Sequence, residues 1–340
     1  MARKMVAMKD IATACGVSVA TVSKALNDQN DIGKETKEHI RSVAEKMGYF
    51  PNSAAKALKT NITKNIGVLF VDKAMSGLTH DYFAHVLDSF KRKAEANGFD
   101  ITFISGHNNE MSYLAHARYR GFDGVVIACV DFYDPNVEEL IRSNIPVVTI
   151  DHIFNNRIAV ISDNNKGMKD LVTYCYNKGH RKIAYVHGGD SSVTQNRLSS
   201  FYRTTESLGI EIPEEYIREA QYRDTEGAYK VTHDLLNLSN PPTCILYPDD
   251  FAAIGGMNAI RERGYRIPED ISVAGYDNIP IASRLNPPLT TIAQDTESIG
   301  SIAAAKLIDL ITNPRTTLIE QVIVEGKLVP GQSVVAPKGR

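Results

Sequence analysis

Two groups of side chains in this 340-residue chain have types and spacings suited to chemistry. The first lies near the N-terminus. There Val22 and Leu26 sit four apart and turn inward, leaving Val19, Ala20, Ser23 and Lys24 on the opposite side of one short helix. A small apolar patch beside a hydroxyl and an ammonium group suits a surface that enters a DNA major groove. The second group follows a series of short apolar runs. Asp72 comes directly after 66–71, Asp151 closes 146–151, and Asp249 and Asp250 follow 243–247, while Tyr82 and Phe83 open a helical stretch. Carboxylates accept hydrogen bonds from ligand hydroxyls, aromatic rings offer an apolar platform, and parallel sheets bind ligands at their carboxyl ends. Asp250, just before Phe251, reads more readily as a helix N-cap than as a ligand contact. His80, in a polar connection at 76–81, reads as solvated.

Catalysis is not expected. No nucleophile, base and orienting group can be assembled, so no catalytic residue is assigned. The stretch 188–192 is glycine-rich but lacks the lysine of a phosphate loop. Cys15, Cys129, Cys175 and Cys244 are scattered without metal-ligand spacing and read as thiols in a reducing cytoplasm. Neither a metal nor a cofactor is called for. No run approaches the ~20 apolar residues of a membrane span, and no secretory signal is visible at the start of the chain, so a cytoplasmic location is expected.

The elements that must position these residues differ in charge. Residues 1–64 hold 11 Lys and Arg against 6 Asp and Glu, whereas the remainder holds 27 against 34. A duplex is a dense line of phosphate charge, which a small basic head can grip and an acidic body cannot. Residues 9–18 read as a short helix and turn, with Ile11, Ala14 and Cys15 inward and Gly16 supplying the turn. Ser18 is an N-cap for a helix over 19–27, and 34–47 forms a third helix with Ile40, Val43, Ala44 and Met47 as its stripe. The alanine-rich segment 52–60 is too short to be a stable helix alone. Beyond it, apolar runs at 66–71, 101–104, 124–128, 146–151, 182–186, 243–247 and 271–276 alternate with helical stretches. Such strands, buried on both faces, mean two successive parallel sheets, hence an α/β body of two doubly wound lobes.

The combination Val17-Ser18-Val19-Ala20-Thr21-Val22-Ser23-Lys24-Ala25-Leu26-Asn27 with Gly48-Tyr49-Phe50-Pro51-Asn52 resembles the LacI–GalR family of bacterial transcription regulators, and the likeness runs over essentially the whole chain. It implies a helix-turn-helix DNA-binding domain at 1–51, a hinge helix and linker at 52–64, and an effector-binding and dimerisation domain at 65–340 similar to periplasmic sugar-binding proteins. The implied N-lobe is about 65–162 with 293–324, and the C-lobe about 163–292 with 325–340. By the same resemblance Val19 and Ala20 meet bases, Lys24 donates to guanine, and Thr21, Ser23 and Asn27 touch phosphates or hold the helix in place. Leu58, flanked by Lys56 and Lys59, falls at the leucine that wedges between base pairs. Ala7 stands where many relatives have Thr or Ser, so the first helix lacks a side-chain cap worth ~1 kcal/mol.

In the body the resemblance assigns Arg197 as a ligand contact, Tyr222 as a stacking ring and Asp277 as part of a signature. With Asp249 and Phe83 these supply what a sugar requires: carboxylate acceptors, a guanidinium donor and an aromatic face. The implied protein is a repressor of carbohydrate-utilisation genes, a homodimer on a pseudo-palindromic operator whose affinity responds to a small sugar. No heptad run follows Leu328, which favours a dimer over a tetramer. Two alternatives stay open: a catabolite regulator activated by phosphorylated HPr, and a repressor with a purine-type corepressor stacked between Phe83 and Tyr222.

Overall fold

The computed structural model describes residues 6–50, 62–72, 77–104 and 111–338. The chain divides into two compact units, one ending at Thr63 and the other starting at Lys64. In the first unit the described helices are α1 (Met8–Cys15), α2 (Val19–Leu26) and α3 (Lys34–Lys46). Gly16, with φ 64°, makes the turn after α1, a left-handed conformation that glycine adopts without a Cβ clash. Ile11, Ala12, Val22, Ala25, Ile40 and Ala44 are buried together between the helices.

Two inward faces differ from the sequence expectation. On α1, Ala12 is buried and Ala14 is exposed. At 100° per residue Met8, Ile11, Ala12 and Cys15 share one arc, and Ala14 falls outside it. On α2, Ala25 is fully buried and Leu26 packs half-buried at the edge of the cluster.

The second unit holds two parallel sheets. The strands β1 (Asn65–Phe70), β2 (Asp100–Ile104), β3 (Gly124–Cys129), β4 (Val147–Ile150), β5 (Ile158–Ser162) and β11 (Gln321–Val324) form the first, in the order β11-β5-β4-β3-β1-β2. The second is β7 (Ile217–Glu219), β6 (Ile183–His187), β8 (Cys244–Leu246) and β9 (Ser272–Ala274), in that order. A short antiparallel pair, β10 (Thr291–Ala293) with β12 (Lys327–Val329), lies where the chain passes from one sheet to the other.

Alternation along the strands serves two helical layers. Val68 and Val126 face α4 (Asp81–Ala96) and the helix α11 (Thr296–Thr312), against Val86, Phe90, Ala303 and Leu307. Leu69, Val125 and Ile127 face α5 (Tyr113–Arg120) and α6 (Pro135–Arg142), against Leu114, Val137 and Leu140. The second sheet repeats the arrangement. Val186, Ile245 and Val273 pack with α9 (Thr225–Leu236) and α10 (Asp250–Glu262). Tyr185, Leu246 and Ala274 pack with α7 (Asn164–Asn177) and α8 (Ser192–Ser207). Burial of each such Val, Leu or Ile stabilises by ~1.5–3 kcal/mol, so both lobes are rigid platforms for the loops at their strand ends.

The order in which successive strands are added switches from one side to the other between β1 and β3 in one sheet and between β6 and β8 in the other, all strands staying parallel. Ligands of open α/β sheets sit at such switch points, beyond the carboxyl ends of the strands.

Candidate functional site

In the first unit the candidate surface is the outer side of α2. Ser18 caps the helix, its Oγ accepting from the Thr21 N–H at 3.0 Å and lying 2.9 Å from Thr21 Oγ1. Asn27 closes the far end by donating from Nδ2 to the Ser23 carbonyl at 2.7 Å. Thr21 Oγ1 and Asn27 Nδ2 are therefore engaged with the helix itself. Val19 is 45% exposed and Ala20 is exposed beside it. Lys24 is not a lone solvated cation: its Nζ is ion-paired with Asp31 in the connection to α3. Asp28, in the same connection, pairs at 3.0 Å with both Lys37 and Arg41. At α1, Ala7 offers no side-chain acceptor, but Asp10 Oδ2 accepts from the Ala7 N–H at 2.8 Å and recovers half of a capping box. Leu58, with Lys56 and Lys59, lies outside the described residues.

In the second unit Arg197 anchors the cleft from the second turn of α8, with only 3% of its surface exposed. Its Nε donates to Asn164 Oδ1 at 2.7 Å, one terminal nitrogen donates to the Pro248 carbonyl at 2.8 Å, and the guanidinium lies 3.5 Å from the Tyr276 ring centre. Tyr222 is 6.0 Å away on another side, its hydroxyl 2.9 Å from Thr194 Oγ1. Close approach depends on two glycines. A Cβ at Gly188 would lie 2.1 Å from the Tyr222 ring, and one at Gly167 would lie 2.1 Å from the Tyr276 hydroxyl.

Three candidate carboxylates are buried within electrostatic reach of this guanidinium. Asp151 accepts from the Tyr82 hydroxyl at 2.5 Å and from the Ser162 N–H at 3.0 Å. Asp277, with φ 100°, accepts from Gln294 Nε2 at 2.6 Å. Asp249 caps α10 through the Ala252 N–H at 2.8 Å and also accepts from the Arg223 N–H at 2.7 Å. The expected cap, Asp250, is instead the first helical residue and fully buried, bonded to the Ile279 N–H at 2.9 Å and the Thr291 hydroxyl at 2.7 Å. One residue of register separates the two readings: the backbone is still extended at Asp249 (φ −154°, ψ 173°), so Asp249 takes the non-helical cap position and Asp250 starts the helix.

Burial pushes the Asp277 carboxyl up to about 7, reinforced by the charges of Asp249 and Asp151 and resisted by Arg197. Burial likewise raises Asp151 and Asp249, against the donors and Arg197 that hold them down. For Arg197 burial works toward neutrality, but Tyr276, Tyr222 and Asp277 outweigh it and keep the guanidinium firmly charged. The result is a dry set of acceptors around one fixed cation, suited to a ligand that brings several hydroxyl or N–H donors.

The wall opposite comes from α4. Phe83 packs against Phe70, His80 and Tyr82, with ring centres 5.4, 4.9 and 5.0 Å away. His80 is half-buried rather than solvated. Its Nδ1 has no hydrogen-bond partner among the described residues, and burial lowers its value to about 4, so the ring is neutral at pH 7. Asp72, half-buried after β1, contributes charge beside that ring. Arg223 bridges the two lobes, donating to Asp81 at 3.1 Å and to the Thr79 carbonyl at 3.3 Å, and Ser192 donates across to the Asp151 carbonyl at 3.0 Å. A cavity of about 230 Å³ lined by Tyr82, His85, Asp277 and Gln294 adjoins this wall; of the candidate residues it contains Tyr82 and Asp277, and neither Arg197 nor Tyr222 lines it. That volume lies below the ~300–1,000 Å³ of drug-sized sites and suits a small molecule. A groove of about 430 Å³ between α5 and α6, lined by Leu114, Glu138 and Arg142, contains none of the candidate residues.

Residues that sequence reasoning passed over are Asn164, Thr194, Tyr276, Gln294 and Arg223. Asn164 follows the Asp163 cap of α7 and Gln294 follows β10, both at lobe crossings that no local pattern marks. Among the described residues, no helix is long and apolar enough to cross a membrane.

Comparison with known proteins finds a match in each of the two units. Residues 7–52 match the family model described as bacterial regulatory proteins, lacI family, and residues 172–334 match the periplasmic binding protein-like domain. The probable HTH-type transcriptional repressor ExuR of Bacillus subtilis is 34% identical over 92% of this chain and 93% of its own length. The HTH-type transcriptional repressor PurR of Serratia proteamaculans is 32% identical over 97% of each. Among solved structures, a lac repressor dimer bound to operator and the anti-inducer ONPF superposes with a TM-score of 0.81 at 26% identity, covering 98% of this chain and 100% of that one.

Proposed function

The chain belongs to the lacI family of bacterial regulatory proteins, and on that premise we propose that it is a cytoplasmic transcriptional repressor whose grip on operator DNA is set by a small sugar held between the lobes of its body. The observation that carries the effector reading is the buried Arg197 guanidinium, stacked on Tyr276 with Tyr222 alongside, whose charge is felt by the buried carboxylates of Asp151, Asp249 and Asp277. Vicinal hydroxyls pair with carboxylates and a guanidinium fork, and the apolar face of a pyranose or furanose lies on an aromatic ring. Asp72, Tyr82 and Phe83 would complete the wall on the N-lobe side.

Two protomers would pair through their bodies and present two copies of α2 to a pseudo-palindromic operator, with Val19, Ala20 and Lys24 toward base edges and Ser18, Thr21, Ser23 and Asn27 toward the backbone. Leu58 would wedge into the minor groove. An effector can move the equilibrium between lobe arrangements only by its differential affinity for them, so the contacts that bridge the lobes, Arg223 with Asp81 and Ser192 with Asp151, are where sugar occupancy would be felt. Target genes for carbohydrate use follow from the same reading.

A thermal-shift panel of pentoses, hexoses, uronates, purine bases and phosphorylated HPr tests it. Stabilisation of the body by a sugar, lost in Arg197→Ala, is the expected result. Stabilisation by purines or phosphorylated HPr alone would replace the sugar with one of those effectors.

A further inference from the structure

Lys24 is the only charged residue of α2, the helix taken here to enter the groove. Its ammonium is ion-paired with Asp31, and both side chains remain about half exposed, at 49% and 52%. Such a pair contributes little to folding, because solvent screens it. Its effect on DNA contact is larger. A lysine on a flexible four-carbon stem beside a duplex takes the nearest phosphate oxygen whatever the sequence, and each such contact adds to nonspecific affinity. A carboxylate fixed beside the ammonium changes that choice. Contact with a phosphate brings two like charges together across the lysine. Contact with guanine O6 and N7 does not, and an ammonium has three donors, so one stays with Asp31 while two face the base.

Resting on the reading of α2 as the groove helix, we propose that Asp31 is a specificity-determining positioning residue: it withholds Lys24 from phosphates and keeps it for a base edge. Asp28 supplies the internal contrast. It lies three residues away in the same connection and carries the same charge, but it pairs with Lys37 and Arg41 of α3. Removing it changes net charge equally without freeing Lys24.

The test uses the full chain as wild type, Asp31→Ala, Asp31→Glu and Asp28→Ala. Each is titrated over a salt series against the duplex that the wild type enriches from a randomised pool and against a scrambled duplex of the same composition. Asp31→Ala should bind the scrambled duplex about tenfold more tightly, with a salt slope steeper by about 0.9 per protomer, the signature of one added phosphate contact. Its preference for the enriched duplex should fall by a similar factor. Asp31→Glu should restore most of that preference, and Asp28→Ala should keep it at the wild-type level. Unchanged slope and preference in Asp31→Ala, or equal changes in Asp28→Ala, would overturn the proposal alone. A wild type that enriches no duplex at all would overturn the groove assignment of α2 together with it.

Discussion

Replacing Asp277 with Asn should stabilise the body at pH 8, less at pH 5, and not at all below about pH 4. The Asp277 carboxyl is raised to about 7 from an ordinary 3.8, by burial first and then by the charges of Asp249 and Asp151. Below about pH 4 the group is protonated in both the folded and the unfolded chain and contributes nothing to the pH dependence. Between about 4 and 7 the unfolded chain ionises while the folded one holds its proton, so the native state binds more protons and stability falls as pH rises. Above 7 the penalty is complete. A displacement of roughly three units corresponds to ~4 kcal/mol as a ceiling, and sharing among the three carboxylates brings the expected gain to ~2–4 kcal/mol, or ~5–10 °C in the melting of the body. Asn keeps the oxygen that accepts from Gln294 at 2.6 Å, so the geometry survives. The chain has 15 Tyr and no Trp, which makes near-UV circular dichroism of the tyrosines the natural probe for melts at pH 5 and pH 8. An equal shift at both pH values, or a variant less stable than wild type at pH 8, would refute the reasoning.

Further expectations concern the groove helix, the lobe bridge and the stacking ring. Lys24→Ala should lower affinity for the preferred duplex by ~1–3 kcal/mol while a scrambled duplex is bound as before; equal losses on both would show that Lys24 reads no base. Arg223→Asn should tolerate the left-handed backbone at φ 61° yet break the bridge to Asp81, weakening effector binding by about fivefold in calorimetry. No change in effector affinity would mean that the bridge does not distinguish the lobe arrangements. Gly188→Ala should displace the Tyr222 ring from its place 2.1 Å from the added methyl and cost effector affinity, with body melting shifted by a few degrees at most; intact effector affinity would remove Tyr222 from the site.

Much of the scaffold could be read from periodicity. The strand runs over 66–71, 124–128 and 146–151 are mostly apolar and rich in Val and Ile, as strands covered on both faces must be, and they form β1, β3 and β4. β5, β7, β10, β11 and β12 were not anticipated. Four of these lie at sheet edges or lobe crossings, where a run of three or four residues is too short to set a pattern. β5 is apolar but follows β4 after a short connection, so sequence alone does not separate the two.

Strand-end logic brought Asp72, Asp151 and Asp249 to the cleft region because a carboxylate after a buried strand has few places to go. It misplaced the α10 cap by one residue, since Asp249 and Asp250 are chemically identical and only the backbone decides which stays outside the helix. Arg197, Tyr222 and Asp277 came from family likeness. Their partners Asn164, Thr194 and Gln294 are distant in sequence and became visible only when two sheets brought them together. The Lys24–Asp31 pair joins residues seven apart across a turn, beyond any helical spacing rule.

In the proposed function, occupancy of the inter-lobe cleft changes how firmly the basic head holds DNA. Fluorescence anisotropy of the wild-type-enriched duplex, titrated at fixed salt with and without each sugar that stabilises the body, measures that coupling directly. At least one such sugar should shift duplex affinity by about 5–150-fold in the wild type and leave Arg197→Ala unaffected. A sugar that binds the body yet leaves duplex affinity unchanged, or acts equally on Arg197→Ala, would contradict it.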